Sequence, residues 1–141
     1  MSAAFLLDTC VISEFVKPQP SRRVVDWLNA QPADSVFLSV ITVGELQRGI
    51  SALAASARRK ALEAWLRDAL PAQFGGRILP LDAITMTVWG RSMADLRQRG
   101  KTVPVMDSLI AATALQHDLT LVTRNVSDFG AFALQIVDPW G

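Results

Sequence analysis

The chain has few of the residues that build disulfide-linked or zinc-stabilised proteins. Its 141 residues include one cysteine, Cys10, and one histidine, His117. A single cysteine excludes an intrachain disulfide and is typical of a reducing compartment, so we expect a cytoplasmic protein. One cysteine and one histidine are also too few for a structural zinc site, which takes about four such ligands.

Long apolar segments and a strong excess of one charge are also missing. No apolar run approaches the roughly 20 residues of a membrane helix, and the first run stops at Asp8, so we expect neither a membrane span nor a signal peptide. The net charge of +1 does not indicate nucleic-acid binding by itself, so any basic surface must be local. Residues 7–10 lack glycine, which argues against a nucleotide-binding Rossmann domain.

Apolar side chains are abundant. Hydrophobic residues make up 50% of the chain and charged residues 19%, a composition that argues against disorder. The length predicts one domain, residues 1–141, with a sizeable core. The apolar content and the four tryptophans exceed what a small monomer buries comfortably, which indicates a subunit interface.

Short apolar runs alternate with segments of helical periodicity along the chain. The predicted strands are 4–7, 36–39, 77–80, 119–123 and one near 135–137. The predicted helices are 11–16, 22–30, 42–53, 56–70, 82–99 and 105–116. Ser21 is expected to cap the second helix and Asp82 the fifth. Thr42 is expected to open the third helix and Pro71 to end the fourth. This alternation predicts a three-layer α/β fold, in which helices flank a parallel sheet of about four to five strands.

Acidic and amide side chains recur just beyond these strands. Asp8 follows the first strand, Glu45 comes shortly after the second, and Asn125 and Asp128 come after the fourth, whereas Asp107 follows an apolar run that leads into a helix. In an open α/β sheet, groups beyond the carboxyl ends of the strands meet in one crevice. Several carboxylates in one crevice repel each other unless a divalent cation lies between them. The pattern therefore predicts a metal-dependent enzyme that acts on phosphate esters.

Each position also has a local explanation. Asp8 precedes a helix and suits an N-cap as well as a metal ligand. Glu45 fits a capping box with the threonine three residues before it. Asp107 stands in the first turn of a helix, where a carboxylate complements the macrodipole, but its apolar neighbours favour a paired or metal-bound acid. Asn125 and Asp128 can organise a turn.

Four segments carry these residues in order: LLDTCVISE (6–14), SVITVGELQRG (39–49), PVMDSLIAATA (104–114) and LVTRNVSDF (121–129). Together they resemble the PIN-domain ribonucleases, and specifically the VapC-like toxins of bacterial toxin–antitoxin pairs. The closing segment 137–140 is similar to the FitB-like subgroup. The resemblance covers nearly the whole chain and implies the same α/β fold, a parallel sheet flanked by helices.

The resemblance also implies a role for each acid. Asp8, Glu45 and Asp107 match the three acidic positions of the PIN site and would hold Mg²⁺, with Mn²⁺ as its substitute. Asn125 stands where many members of the family carry a fourth acid, and an amide supplies an oxygen but no charge. Asp128, one turn further on, is the expected replacement, so all five residues belong to the implied catalytic set.

Other residues match positions near the PIN site. Thr9, Ser13 and Thr123 match small hydroxyl residues that orient carboxylates or water, although cap and turn roles explain them equally well. Arg48 lies three residues beyond Glu45 on one helical face and is expected to hold a substrate phosphate, with pairing to the acids as the alternative. The further candidates for RNA backbone contacts, most of them equally explained as solvated surface, are Arg22, Arg23, Arg58, Arg59, Lys60, Arg97, Arg99, Lys101 and Arg124.

The implied function is a metal-dependent endoribonuclease, the toxin of a toxin–antitoxin pair. Water activated by the metal would attack the RNA phosphodiester and leave a 5′-phosphate and a 3′-hydroxyl. The alternative is a catalytically weak PIN-fold binding module that acts with a DNA-binding, antitoxin-like partner, since Asn125 removes one charge. Apart from RNA, the implied partners are a cognate antitoxin and a second copy of the chain. The apolar helical segment 43–70 would form the groove for the antitoxin, although core packing explains about half of its side chains equally well.

Overall fold

Five strands and eight helices alternate along residues 3–141, the part of the chain that this computed structural model describes. The strands are β1 (Phe5–Leu7), β2 (Val36–Ser39), β3 (Ile78–Leu79), β4 (Thr120–Val122) and β5 (Ile136–Val137). The helices are α1 (Thr9–Phe15), α2 (Arg22–Asn29), α3 (Val40–Ser51), α4 (Ala57–Ala64), α5 (Leu70–Phe74), α6 (Ala83–Gln98), α7 (Val105–Gln116) and α8 (Val126–Phe129). No helix in this part of the chain is long and apolar enough to cross a membrane.

All five strands are parallel and form one sheet in the order β3-β2-β1-β4-β5. The central strand β1 is buried throughout, which explains why it lacks polar alternation. Its successive side chains point to opposite faces of the sheet. Leu7 belongs to one hydrophobic cluster, and Leu6 belongs to a second that also holds buried residues of α6 and α7. The predicted parallel sheet between two helical layers is thus confirmed.

Two helices begin earlier than predicted. The carboxylate of Asp8 accepts a hydrogen bond from the N–H of Thr9, so α1 starts at Thr9. The hydroxyl of Ser39 accepts the N–H of Ile41 at 3.0 Å, and α3 therefore starts directly after β2. Thr42 lies inside α3, so the expectation that it opens the helix is wrong, and the capping-box alternative for Glu45 is wrong with it.

Two other helix ends also differ from the prediction. Ser21 stands at the N-cap of α2, but its side chain makes no capping hydrogen bond. Pro71 does not end its helix, because a π-helical turn, Trp65–Ala69, joins α4 to α5. Pro71 then falls in the first turn of α5, where the missing N–H of proline is tolerated. Asp82 caps α6 through a capping box, as predicted for the start of that helix.

The short helix α8 occupies the segment after β4 where a turn was the local explanation. Phe129 anchors it, with none of its surface exposed. Asn125 stands at the N-cap position without a side-chain capping bond, and Asp128 lies in the first turn. The strands β1, β2 and β4 therefore end at one edge of the sheet, where α1, α3 and α8 begin.

Candidate metal centre

Asp8 occupies the centre of this edge. One carboxylate oxygen, Oδ1, accepts the N–H of Thr9 at 2.8 Å, and the other, Oδ2, accepts the hydroxyl of Thr123 at 2.7 Å. Only 4% of Asp8 is exposed. The helix-cap explanation and the site explanation therefore coexist, because the carboxylate caps α1 through Oδ1 and both of its oxygens keep lone-pair capacity for a further ligand.

Glu45 is held by a residue from another helix. The hydroxyl of Thr9 donates to Oε1 of Glu45 at 2.6 Å, and the hydroxyls of Thr9 and Thr42 lie 3.1 Å apart. Thr42 is fully buried one turn before Glu45 on α3. These contacts join the first turn of α1 to α3. Thr9, which directly follows Asp8, therefore helps to hold both acids, because its N–H bonds to Asp8 and its hydroxyl bonds to Glu45.

Asp107 extends from the first turn of α7 into the same region. Burial, followed by the negative charges of Asp8, Asp128 and Glu45, raises its pKa to about 6. Burial likewise raises the pKa of Asp8, an effect that Thr123 and the N–H of Thr9 oppose and the charge of Glu45 reinforces. Asp107 is thus close enough to Asp8, Asp128 and Glu45 for their charges to disfavour its ionisation.

No basic side chain neutralises these acids. Within residues 3–141, the salt bridges involve other carboxylates, and Asp8, Glu45, Asp107 and Asp128 take part in none of them. The charge balance and the oxygen donors therefore suit a hard divalent cation. The described part of the chain has no three acid, histidine or cysteine side chains close enough to form a ready-made ligand set. An ion at this edge would therefore take one or two of the carboxylates directly and the others through bound water, as Mg²⁺ can.

Asn125 and Asp128 occupy different positions relative to the acids. Both are exposed. The backbone N–H of Asn125 donates to the Thr123 hydroxyl at 3.0 Å, but the Asn125 side chain makes no hydrogen bond within residues 3–141. Asp128 raises the pKa of Asp107 through its charge. Asp128 is therefore electrostatically part of the site, whereas Asn125 contributes through its backbone.

Residues 5–132 match the family model described as the PIN domain. The chain belongs to the PIN-domain family. This PIN domain is 39% identical over 135 residues to Toxin FitB of Neisseria gonorrhoeae, a match that covers 96% of this chain and 97% of that protein. It is 38% identical over 135 residues to VapC ribonuclease Y4jK of Sinorhizobium fredii, with 96% of each chain covered.

Solved structures show the same fold. The PIN domain superposes on the crystal structure of FitAcB from Neisseria gonorrhoeae with a TM-score of 0.91 at 39% identity, covering 96% of this chain and 98% of that one. The TM-score is also 0.91, at 36% identity, for FitAB bound to an IR36 DNA fragment, with 97% of this chain and 96% of that chain covered. The predicted family membership and fold class are both confirmed.

The remaining residues that the sequence singled out surround the centre of the PIN domain at different distances. Ser13 lines a small groove of about 150 Å³ together with Glu45. Arg48 is exposed and forms neither an ion pair nor a side-chain hydrogen bond within residues 3–141, so pairing with the acids is not seen. His117 caps the C-terminal end of α7, away from the acids.

Sequence reasoning missed two contacts of the site. Thr42 was interpreted as a helix cap. The only signal in the sequence for its contact with the site was its spacing of three residues from Glu45, which places both side chains on one helical face. The second contact involves Cys10, whose Sγ lies 3.7 Å from Oδ2 of Asp8 and 3.7 Å from the Thr123 hydroxyl. Burial and the charge of Asp8 both raise the pKa of Cys10, so the thiol stays protonated and can donate to Asp8.

Proposed function

We propose that this chain, as one PIN domain over residues 1–141, is a metal-dependent endoribonuclease and the toxin of a toxin–antitoxin pair. The observation that supports this most is the acidic centre without a neutralising base. Such a centre repels a phosphodiester unless a divalent cation lies between them. The relative named VapC ribonuclease Y4jK supports RNA as the substrate.

Asp8, Glu45 and Asp107 are the residues that would hold Mg²⁺ or Mn²⁺, with Asp128 at the rim. When bound, the cation supplies a hydroxide-like nucleophile near neutral pH and screens the charge of the attacked phosphate. The raised pKa of Asp107 has a direct consequence, because a proton and a cation compete for its carboxylate. We therefore expect binding to strengthen as the pH rises through about 6.

The uncharged residues of the centre hold the carboxylates in place. Thr123 and the N–H of Thr9 each fix one oxygen of Asp8, and the Thr9 hydroxyl fixes Glu45. Because these side chains already have partners in the protein, little reorganisation is required when the cation and the phosphate arrive. No histidine is available at the centre to act as a general base.

Cleavage of total RNA in the presence of Mg²⁺ tests the function. We expect the wild type to cut, and Asp8→Asn and Asp107→Asn to lose activity by at least about 100-fold. Asp34→Asn is the matched control, because Asp34 precedes β2 at the opposite edge of the sheet. Intact RNA at high concentrations of wild type would favour the catalytically weak binding module instead. Full cleavage by both site variants would contradict the site assignment.

We also propose that a cognate antitoxin covers the groove beside Glu45. Leu53 is 39% exposed in this groove, and Trp65 forms part of its apolar wall. An amphipathic helix suits such a groove, and a basic residue at its end can reach the acids. Four further apolar side chains of segment 43–70 are buried in the core, and the first two of them also line the groove: Leu46, Ile50, Leu66 and Leu70. Growth rescue by the co-expressed antitoxin should fail for Leu53→Asp and persist for Leu53→Met.

A further inference from the structure

A second charged cluster lies at the opposite end of α1 from Asp8. At its centre is Glu14, of which only 4% is exposed. Its carboxylate accepts the N–H of Ser21 at 3.0 Å and pairs with Nζ of Lys17 at 3.1 Å. The bond from Ser21 lowers the pKa of Glu14, and Lys17 lowers it further. Glu14 is therefore ionised and already has a close cationic partner.

Arg124 lies near this cluster, but the nearer cation Lys17 already neutralises the charge of Glu14. Its Nη2 lies 3.7 Å from Oε1 of Glu14, which is longer than the contact made by Lys17. The Arg124 side chain is 52% exposed and donates no hydrogen bond to any group in residues 3–141. An ion pair of this length and exposure contributes little to stability. Its five N–H donors remain available to a ligand.

Trp140 lies against this guanidinium. The Cζ atom of Arg124 lies 4.2 Å from the centroid of the Trp140 ring, within the range of a cation–π contact. The indole Nε1 is buried, has no full hydrogen bond among the described residues, and lies close enough to Glu14 to help lower its pKa. A cation–π contact uses the face of the guanidinium and not its N–H donors, which can still form paired bonds to an oxyanion.

The position of Arg124 relates the cluster to the acidic centre. Arg124 directly follows Thr123, whose hydroxyl donates to Asp8. Glu14 comes six positions after Asp8 along the chain, which corresponds to about 9 Å of helix. Within residues 3–141 the guanidinium pairs with Glu14 and forms no salt bridge with the acids of the centre. Arg23 adds a further cation, since its Nη1 donates to the carbonyl of Trp140 at 3.4 Å.

We propose that Arg124 binds a phosphate of the RNA strand that neighbours the scissile phosphate, and that Glu14 and Trp140 are positioning residues for its guanidinium. The proposal rests on the ribonuclease function proposed above. An acidic centre that repels RNA needs a nearby cationic group to retain the strand, and a preorganised arginine meets this need at small entropic cost. Unlike the other exposed arginines, Arg124 combines a position next to Thr123 in the chain, unused donors and an aromatic contact.

RNA binding as a function of salt concentration tests the proposal. All proteins carry Asp107→Asn so that a labelled single-stranded RNA stays intact. Loss of one phosphate contact should reduce the slope of log K against log salt by about 0.7 and weaken binding uniformly across sequences. We expect this for Arg124→Gln, with an affinity loss of about 3- to 10-fold. Arg124→Lys should retain the slope and recover part of the affinity.

Two further variants provide the control and the test of positioning. Arg67→Gln is the matched control, because Arg67 is 69% exposed and pairs with Asp68 away from both clusters. It should change neither slope nor affinity. Trp140→Leu should weaken binding while Trp140→Phe, which retains an aromatic face, should not. In the active protein, Arg124→Gln should raise KM for RNA and leave kcat nearly unchanged.

The outcomes separate this inference from the proposed function. Equal slopes for Arg124→Gln and Arg67→Gln would overturn the role of Arg124. The role of Arg124 would also be overturned if Arg124→Gln lost affinity with an unchanged salt slope and a lower Tm. That result would indicate that Arg124 stabilises the fold and does not contact a phosphate. If the wild type neither cuts nor binds RNA, the proposed function fails as well. If the wild type cuts RNA and Arg124→Gln binds normally, only the role of Arg124 fails.

Discussion

The hydroxyl of Thr123 donates a hydrogen bond of 2.7 Å to Oδ2 of Asp8, and this contact joins the ends of β4 and β1. Both residues are buried, and no part of the Thr123 surface is exposed. The orientation of the Asp8 carboxylate therefore depends on a residue from the neighbouring strand as well as on its role as the cap of α1. A small change in the pairing of β1 with β4 would alter the metal centre.

Thr123→Val removes this hydrogen bond and the acceptor for the N–H of Asn125 while it preserves the shape of the side chain. We expect a loss of about 1–3 kcal/mol in the free energy of unfolding, because the buried Asp8 carboxylate loses a donor and the N–H of Asn125 loses its acceptor. Urea unfolding in the absence of metal measures the effect. Thr123→Ser, which keeps the hydroxyl, should lose less than half as much. Equal losses for the two variants would indicate that the methyl group, and not the hydrogen bond, stabilises this site.

The raised pKa of Asp107 predicts an unusual dependence of stability on pH. The value is about 6 in the folded protein and 3.8 as the reference for an unfolded chain, so the folded state binds the proton more tightly. In the metal-free protein, the contribution of Asp107 to stability should therefore fall as the pH rises from about 4 to about 6. Asp107→Asn lacks this loss and should be more stable than the wild type above about pH 6, by about 1 kcal/mol after allowance for solvent screening.

Urea unfolding in a chelator across this pH range checks the prediction for Asp107. Asp34→Asn serves as the control, because Asp34 is exposed in the turn before β2. It should follow the pH profile of the wild type. If the wild type instead gains stability relative to Asp107→Asn as the pH rises, the prediction is wrong. The negative charges around Asp107 would then be balanced by other groups or ions in solution.

A divalent cation should stabilise the folded protein by relieving repulsion among the acids. Mn²⁺ at ten times its Kd should raise the free energy of unfolding by about 1.4 kcal/mol. The gain should be larger above about pH 6 than below it, because protons compete for Asp107. Asp8→Asn should abolish most of this gain, whereas Asp34→Asn should not. Thermal or urea unfolding with and without Mn²⁺ measures it, and an equal gain in all three proteins would indicate binding elsewhere.

Asp128 and Asn125 should differ in their effects on the centre. Because the charge of Asp128 acts on Asp107, Asp128→Asn should lower the pKa of Asp107 and weaken Mn²⁺ binding by several-fold. Asn125→Ala, which keeps the backbone N–H that bonds to Thr123, should have a smaller effect. Calorimetric titration with Mn²⁺ measures both. A greater loss for Asn125→Ala would reassign the fourth corner of the site to the amide.

Much of the fold follows from local patterns. The bounds of β2 and α7 agree with the prediction, because an uninterrupted apolar run and a proline before a helix are strong local signals. The start of α3 was wrong because Ser39 and Thr42 are both suitable caps, and only the end of β2 decides between them. The error at Pro71 arose since a π-helical turn depends on packing of the surrounding residues and has no simple sequence pattern.

The sequence by itself determined which acids follow which strands, and thus that Asp8 and Glu45 lie at one edge of a parallel sheet. Only the tertiary structure decided which side chains meet. The bond from Thr9 to Glu45 spans 36 residues and the bond from Thr123 to Asp8 spans 115. Such contacts depend on the strand order and on distances of a few tenths of an ångström, which local propensities do not specify. The burial and repulsion that raise the pKa of Asp107 arise in the same way, from charges that are distant in the chain and close in space.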